Sequence, residues 1–264
     1  MDDIRFEDVS LTFPNGTRAL SGVSLTVRRG EFVSLVGPSG CGKSTLLRLA
    51  AGFERPTSGA VRTGGEALGY VFQDATLLPW RTVLRNVELP GQLSGAGPAE
   101  RRERAMDAIR RVGLDGFEKH RPAQLSGGMR MRVSIARALT LQPKLFLFDE
   151  PFGALDEMTR ERLNEEVGAL FVSDPFAGLF VTHSVPESVF MSTRVVVLSG
   201  RPGRIVADIE VPFGYPRPPE LRYSPEFAAV AARVSEALRS VEHEQGAESE
   251  HENPGTADDE EAAA

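Results

Sequence analysis

Residues 37–44 read Gly-Pro-Ser-Gly-Cys-Gly-Lys-Ser and satisfy the spacing G-x-x-x-x-G-K-[ST]. An apolar run precedes them and a helical pattern follows, the context in which such a loop cradles phosphate. The chemistry depends on each residue type. Gly37, Gly40 and Gly42 let the backbone curl so that successive N–H groups face one anion, with Pro38, Ser39 and Cys41 between them. The helix that starts near Gly42 presents its positive end. Lys43 reaches the outer phosphates, and the Ser44 hydroxyl suits Mg²⁺, with Thr45 continuing the helix. Only three lysines occur against 27 arginines. One of them stands here, where a compact ammonium fits among phosphate oxygens better than a planar fork. Cys41 has no histidine near it in sequence and reads as a small loop residue, not a nucleophile.

Residues 145–150, Leu-Phe-Leu-Phe-Asp-Glu, form an apolar strand ending in two acids. That is costly unless the carboxylates meet a cation or a proton-transfer task. Asp149 suits Mg²⁺ through a water, and Glu150 suits polarising an attacking water. A second anion-seeking surface is predicted at Leu125-Ser126-Gly127-Gly128-Met129, the head of a helical stretch running to about Leu139. Ser126 at a helix start, with two glycines behind it, exposes N–H groups and a hydroxyl.

The elements that must position these groups are legible as changes of hydrophobic period. Residues 3–13 and 20–27 alternate on either side of Asn15-Gly16, a strong hairpin turn, and predict antiparallel strands. Strands at 31–36, 68–72, 145–148, 178–182 and 194–198 then alternate with helical patterns, the mark of a mainly parallel α/β sheet with crossover helices. The stretch from about 76 to 140 has a different texture. It carries a Gly/Pro/Ser-rich break at 91–98 and a charged helix at 99–112 with Met106, Ile109 and Val112 on one face, and predicts a small helical insertion. After 156, Leu163, Val167, Leu170 and Phe171 follow helical spacing, and 226–240 predicts a last short helix.

The Leu-Ser-Gly-Gly-Met run resembles the signature sequence of ABC ATPases, with Met129 where the family often has glutamine. The resemblance covers about residues 3–210 and implies a P-loop NTPase core that binds ATP and Mg²⁺. Gln73, ending the strand GYVFQ, matches the Q-loop glutamine that contacts the metal and senses a transmembrane partner. Gly153-Ala154-Leu155-Asp156 matches the D-loop, with Asp156 in the nucleotide-binding set. His183 matches the switch histidine near the γ-phosphate, and Phe13 the ring that stacks on adenine. The resemblance also implies a head-to-tail homodimer in which Ser126, Gly127 and Gly128 of one subunit close over the ATP held by the other. Leu77–Val87 and Arg201-Pro202-Gly203-Arg204-Ile205 look like the nitrate, sulfonate and taurine importers, whose ATPases serve separate permease subunits and, indirectly, a periplasmic or lipid-anchored solute-binding protein. Trp80 fits either packing within the insertion or reception of a permease helix. Ser184 stands where many relatives carry an acid.

Lys and Arg number 30 against 37 Asp and Glu, for a formal charge of −7, but nine of those acids lie in residues 241–264. The remaining body is nearly neutral, so no nucleic-acid partner is expected and the tail is expected to be disordered. The expected organisation is one domain over 1–240 followed by that acidic tail. A single cysteine points to a reducing compartment. Met1-Asp2-Asp3-Ile4 lacks a cationic lead into an apolar stretch, and no run approaches the roughly 20 apolar residues a membrane span needs. The expected location is the cytoplasmic face of the membrane, peripherally attached. The alternative is an ABC ATPase acting on nucleic acid, ribosomes or cofactor assembly, which a basic surface or a second cassette would favour.

Overall fold

The computed structural model of the chain describes residues 2–65 and 67–251. Strands β1 (Asp2–Thr12) and β2 (Arg18–Arg28) pair antiparallel across a turn in which Gly16 adopts φ +83°. That left-handed conformation is why glycine follows asparagine there. Their inward residues, including Ile4, Phe6, Val9 and Leu11 on β1 and Leu20, Val23, Leu25 and Val27 on β2, are all buried. Beyond β3 (Phe32–Val36) and α1 (Lys43–Ala50), the edge strand β4 (Ser58–Thr63) joins β1 on its free side. The sequence SGAVRT has no buried residue and no apolar alternation, so nothing in it announces a strand.

The central sheet adds β5 (Leu68–Val71), β6 (Leu145–Asp149), β7 (Ala177–Val181), β8 (Arg194–Leu198) and β9 (Ile205–Glu210), in the order β5-β6-β7-β3-β8-β9. All neighbours are parallel except β9, which returns antiparallel to β8. β3 and β7 are buried at every position because the sheet is covered on both faces. Side chains alternate accordingly. Phe146 and Phe148 face one apolar cluster with Phe32 and Phe180, while Leu145 and Leu147 face another with Val33, Leu35 and the hairpin. Phe32 stands at the centre of the first cluster, its ring 5.6 to 6.1 Å from those of Phe148, Phe171, Phe176 and Phe180.

Between β5 and β6 the chain is helical: α2 (Val83–Val87), α3 (Leu89–Leu93), α4 (Pro98–Arg111) and α5 (Gly127–Leu139). The buried face of α4 is Ala105, Ala108 and Ile109, with Val112 just beyond its end. Met106, expected on that face, is only half-buried. The small alanines let α4 lie close to α5. Asn86 is fully buried and satisfied, its Oδ1 accepting from Leu78 N at 2.8 Å and its Nδ2 donating to the carbonyls of Leu78, Arg81 and Thr82. It thereby fixes the turn 78–82 and leaves Trp80 projecting with 68% of its surface exposed. Trp80 is not packing material for the insertion.

After β6 come α6 (Glu157–Ser173), α7 (Val185–Met191) and α8 (Pro225–His251). α8 is longer than the expected 226–240. Phe227, Val230, Val234 and Val241 lie at helical spacing and are buried. The residues that follow, rich in Glu, Gln and Ala, are good helix formers. The remainder of the tail, 252–264, lies outside the described residues.

Candidate nucleotide site

The phosphate loop joins β3 to α1 at the C-terminal edge of the parallel strands, where open α/β sheets place their ligands. Gly42 caps α1 with φ +104°, and a Cβ there would stand 2.6 Å from Leu20 Cδ2. Gly40 adopts φ +74°. Only glycine serves at both, the first for space and the second for conformation. Lys43 is 6% exposed, and its Nζ donates to the carbonyls of Gly37 and Pro38 at 2.8 Å each. The ammonium is thus held inside the curl, centred on the loop. Ser39 and Gly40 are exposed at the rim, and Thr45 is half-buried behind Ser44. Burial raises the Cys41 thiol above its ordinary pKa, opposed by the Lys43 charge. Burial and a raised pKa both disfavour the nucleophilic thiolate.

Ser44 donates its hydroxyl to Asp149 Oδ1 at 2.7 Å, which brings the two candidate Mg²⁺ ligands together from α1 and β6. Both are hard oxygen donors, and among the described residues no cluster of three or more His, Cys, Asp or Glu could hold a metal alone. That donor set fits Mg²⁺, which keeps water and phosphate oxygens as its remaining ligands. Asp149 Oδ2 accepts from Tyr70 Oη at 3.2 Å. Burial, and then the Asp149 charge, push the Tyr70 phenol well above its usual pKa, so it remains a donor. Gln73 lies two residues past Val71, the last residue of β5, whose register partner is Phe148. Its side chain is exposed.

Glu150 adopts φ +46°, a conformation that costs a non-glycine residue about 1–3 kcal/mol and clusters at functional sites. The turn is held by Glu150 N donating to Val181 O at 3.0 Å and Gly153 N donating to Glu150 O at 3.2 Å. His183 follows β7, with Nδ1 at 3.5 Å from Glu150 Oε2. Asp156 caps α6, its Oδ1 accepting from Thr159 N at 3.0 Å, and that bond holds its carboxyl below the usual range. Ser126 caps α5 in the same way, Oγ accepting from Met129 N at 3.2 Å.

The structure gathers Lys43, Ser44, Asp149, Glu150 and His183 at one edge, while Gly127 and Gly128 lie against residues at the start of α6 and just before it. A Cβ on Gly127 would meet Leu155 at 3.1 Å, and one on Gly128 would meet Thr159 at 2.6 Å. Among the described residues no hydrogen bond joins 126–128 to 37–45. Phe13 is half-buried against the hairpin cluster, its N–H donating to Thr17 O at 2.9 Å.

Three contacts at the site were not foreseen from the sequence. Tyr70 gave no signal beyond standing in the strand before Gln73. The loop 199–204 packs directly under the phosphate loop, where Arg201 Nε donates to Gly40 O at 3.1 Å and a Cβ on Gly203 would stand 2.1 Å from Cys41 O. The Gly in that loop was the available clue. Arg137, on α5, donates to the carbonyls of Ala75 and Thr76 at 3.1 and 3.0 Å and to Thr76 Oγ1 at 2.8 Å, tying the helix that Ser126 begins to the segment after Gln73. Thr76 is held there at φ +46°.

Residues 20–153 match the protein family described as ABC transporter. Across 232 residues the chain is 45% identical to an uncharacterised ABC transporter ATP-binding protein of Methanocaldococcus jannaschii, covering 85% of this chain and 86% of that one. It is 46% identical over 206 residues to a taurine import ATP-binding protein of Yersinia pestis, covering 75% and 81%. Among solved structures, the ATP-binding cassette MJ0796, dimeric and bound to ADP and Pi, superposes with a TM-score of 0.70 at 32% identity, covering 80% of this chain and all of that one. The chain therefore belongs to the ABC transporter family, as an ATP-binding subunit. It is an ATPase, and its similarity extends to the taurine-importer subunits.

Proposed function

We propose that this chain energises solute uptake. It works as a homodimer on the cytoplasmic face of the cell membrane, attached peripherally to separate permease subunits that a periplasmic or lipid-anchored solute-binding protein supplies. The solute is of the nitrate, sulfonate or taurine type. The observation that carries the dimer is the separation of two anion-seeking helix starts. The phosphate loop faces one edge of the sheet, while Gly127 lies against Leu155 and Gly128 against Thr159, and among the described residues no hydrogen bond joins 126–128 to 37–45. Two chains arranged head to tail give each ATP both. The dimeric cassette MJ0796 and the taurine-importer relative support this reading. Among the described residues no helix is long and apolar enough to cross a membrane, and exposed Trp80 beside the segment after Gln73 offers an aromatic contact to a permease.

In this reading 1–240 is a single ATPase domain with a helical insertion over about 76–140. Phe13 stacks on adenine. The N–H groups of 37–45 and the Lys43 ammonium bind the phosphates. Ser44, Asp149 and Gln73 hold Mg²⁺, which when bound neutralises charge on the β- and γ-phosphate oxygens. Glu150 orients the attacking water, and His183 steadies the γ-phosphate. Ser126, Gly127 and Gly128 contribute donors from the partner subunit, and Asp156 lines the seam.

The dimer is tested by pairing Ser39→Cys with Ser126→Cys in a Glu150→Gln background. Cys41, at 1% exposure, does not interfere. Disulfide-linked dimers are expected with MgATP and not without nucleotide, and their absence at saturating MgATP overturns the arrangement. Import is tested by uptake of labelled taurine, an alkanesulfonate and nitrate in cells with and without the gene. Unchanged uptake of all three, with the chain co-purifying with ribosomes or nucleic acid, would favour the non-transport alternative.

A further inference from the structure

Glu187 is 6% exposed on α7, and none of the roles above uses it. Its Oε2 accepts a short hydrogen bond from the Thr182 hydroxyl, while its Oε1 has no hydrogen-bond partner among the described residues. Thr182 stands immediately before His183. Ser184, immediately after, donates its backbone N–H to Thr182 Oγ1 at 3.0 Å, and its Oγ accepts from Glu187 N at 3.4 Å. Both neighbours of the histidine are therefore tied to one buried residue. The imidazole has little else to hold it. Its side chain is 60% exposed, its polar contact is the long one to Glu150, and its Cε1 lies 3.5 Å from where a Gly153 Cβ would be.

A second element faces the same carboxyl. Burial raises the Glu187 pKa, and the Thr182 hydroxyl, the Arg160 charge, the Asn164 amide and the His183 charge oppose that rise. Arg160 and Asn164 belong to α6, and Arg160 also donates to Leu155 O at 2.9 Å and Phe152 O at 3.4 Å, clasping the turn that leads to Asp156. A carboxyl buried to this extent costs stability that an apolar side chain of similar size would not. Packing alone therefore does not account for it.

We propose that Glu187 is a positioning residue for ATP hydrolysis: by holding Thr182 and the first turn of α7 it sets the backbone from which His183 reaches the γ-phosphate. It touches no nucleotide and transfers no proton. The proposal rests on the assignment of His183 to the hydrolysis step, and the experiment separates the two.

Steady-state ATPase rates and binding of a fluorescent ATP analogue are measured on the full chain carrying Glu187→Ala, Glu187→Gln, Thr182→Val, the Glu187→Ala/Thr182→Val pair, and His183→Ala. Glu187→Ala and Thr182→Val are each expected to lower kcat about tenfold to a hundredfold, the range that small misplacements of a reacting group produce. Nucleotide affinity stays within about twofold, because the phosphate loop is untouched. The pair is no worse than either single change. Glu187→Gln, which still accepts from Thr182, keeps more than about half the rate. If Glu187→Ala does not fold, Thr182→Val and Glu187→Gln carry the test. A normal rate in Glu187→Ala or Thr182→Val alongside an inactive His183→Ala overturns the proposal and leaves the histidine assignment standing. A normal rate in His183→Ala removes the assignment itself. Loss of affinity in parallel with kcat, or Glu187→Gln failing as badly as Glu187→Ala, reduces Glu187 to a structural role and also overturns the proposal.

Discussion

Asp149 is held on both oxygens before any cation arrives, by Ser44 at 2.7 Å and by Tyr70 at 3.2 Å. The two bonds differ in kind. Ser44 would give up its bond to Asp149 to share a metal, whereas Tyr70, on the strand beside β6, remains a donor and keeps the carboxylate aimed. Removing the phenol oxygen in Tyr70→Phe leaves the ring stacked between Phe53 and Phe72, so the loss is confined to one half-buried bond to a charged acceptor. The expected cost is about 1–2 kcal/mol of stability, read from urea denaturation, with a higher Mg²⁺ requirement for ATPase activity. An unaltered midpoint and an unaltered Mg²⁺ dependence would show that Tyr70 does not orient Asp149.

At the scale of elements, the phosphate loop is rigid because three segments converge on it. Leu198 closes one side, with its carbonyl oxygen 2.8 Å from where a Gly37 Cβ would stand. Leu20 of β2 closes another, and Gly203 meets the Cys41 carbonyl at backbone distance. Gly203 also donates its N–H to Ala19 O at 2.9 Å and accepts from Ser21 N at 3.0 Å, so the loop after β8 welds the hairpin to the phosphate loop. A single methyl there has nowhere to go, since the atom it meets is backbone. Gly203→Ala is expected to cost about 1–3 kcal/mol through overpacking and to weaken nucleotide binding by displacing Cys41. Gly214→Ala, where nothing lies within 4 Å, is the matched control and should leave both unchanged. Equal behaviour of the two variants in a fluorescent-ATP titration would show that the weld does not matter.

The whole molecule is closed by α8, which lays Phe227, Val230, Val234 and Val241 on the apolar cluster that also contains α7 and the aromatic face of the sheet. The packed apolar face of α8 thus reaches Val241. Truncation after residue 240 removes Val241, 2% exposed, and is expected to cost about 1.5–3 kcal/mol, the worth of one fully buried aliphatic side chain. Truncation after His251 spares that contact and should leave the thermal midpoint and ATPase rate close to those of the full chain. If both truncations melt together with the full chain, Val241 contributes nothing and the acidic stretch could be cut at either point.

The sequence by itself determined the nucleotide machinery and the frame that carries it. Glycine spacing, the lysine, and two acids at the end of an apolar run are local requirements of phosphate and metal chemistry, so they are written contiguously and can be read contiguously. The same holds for β3, β6 and β7, whose burial on both faces leaves predominantly apolar runs. β4, Tyr70, Arg137 and Gly203 were not legible for the opposite reason. Each acts on a partner far along the chain, and no period or motif encodes a distance of 79 residues between Tyr70 and Asp149 or 61 between Thr76 and Arg137. Tertiary structure alone decided that Trp80 faces outward, that Gly127 and Gly128 lie against Leu155 and Thr159, and that Glu187 is buried near the histidine. Each outcome depends on which surfaces meet when the sheet closes, a property of packing that no short stretch of sequence contains.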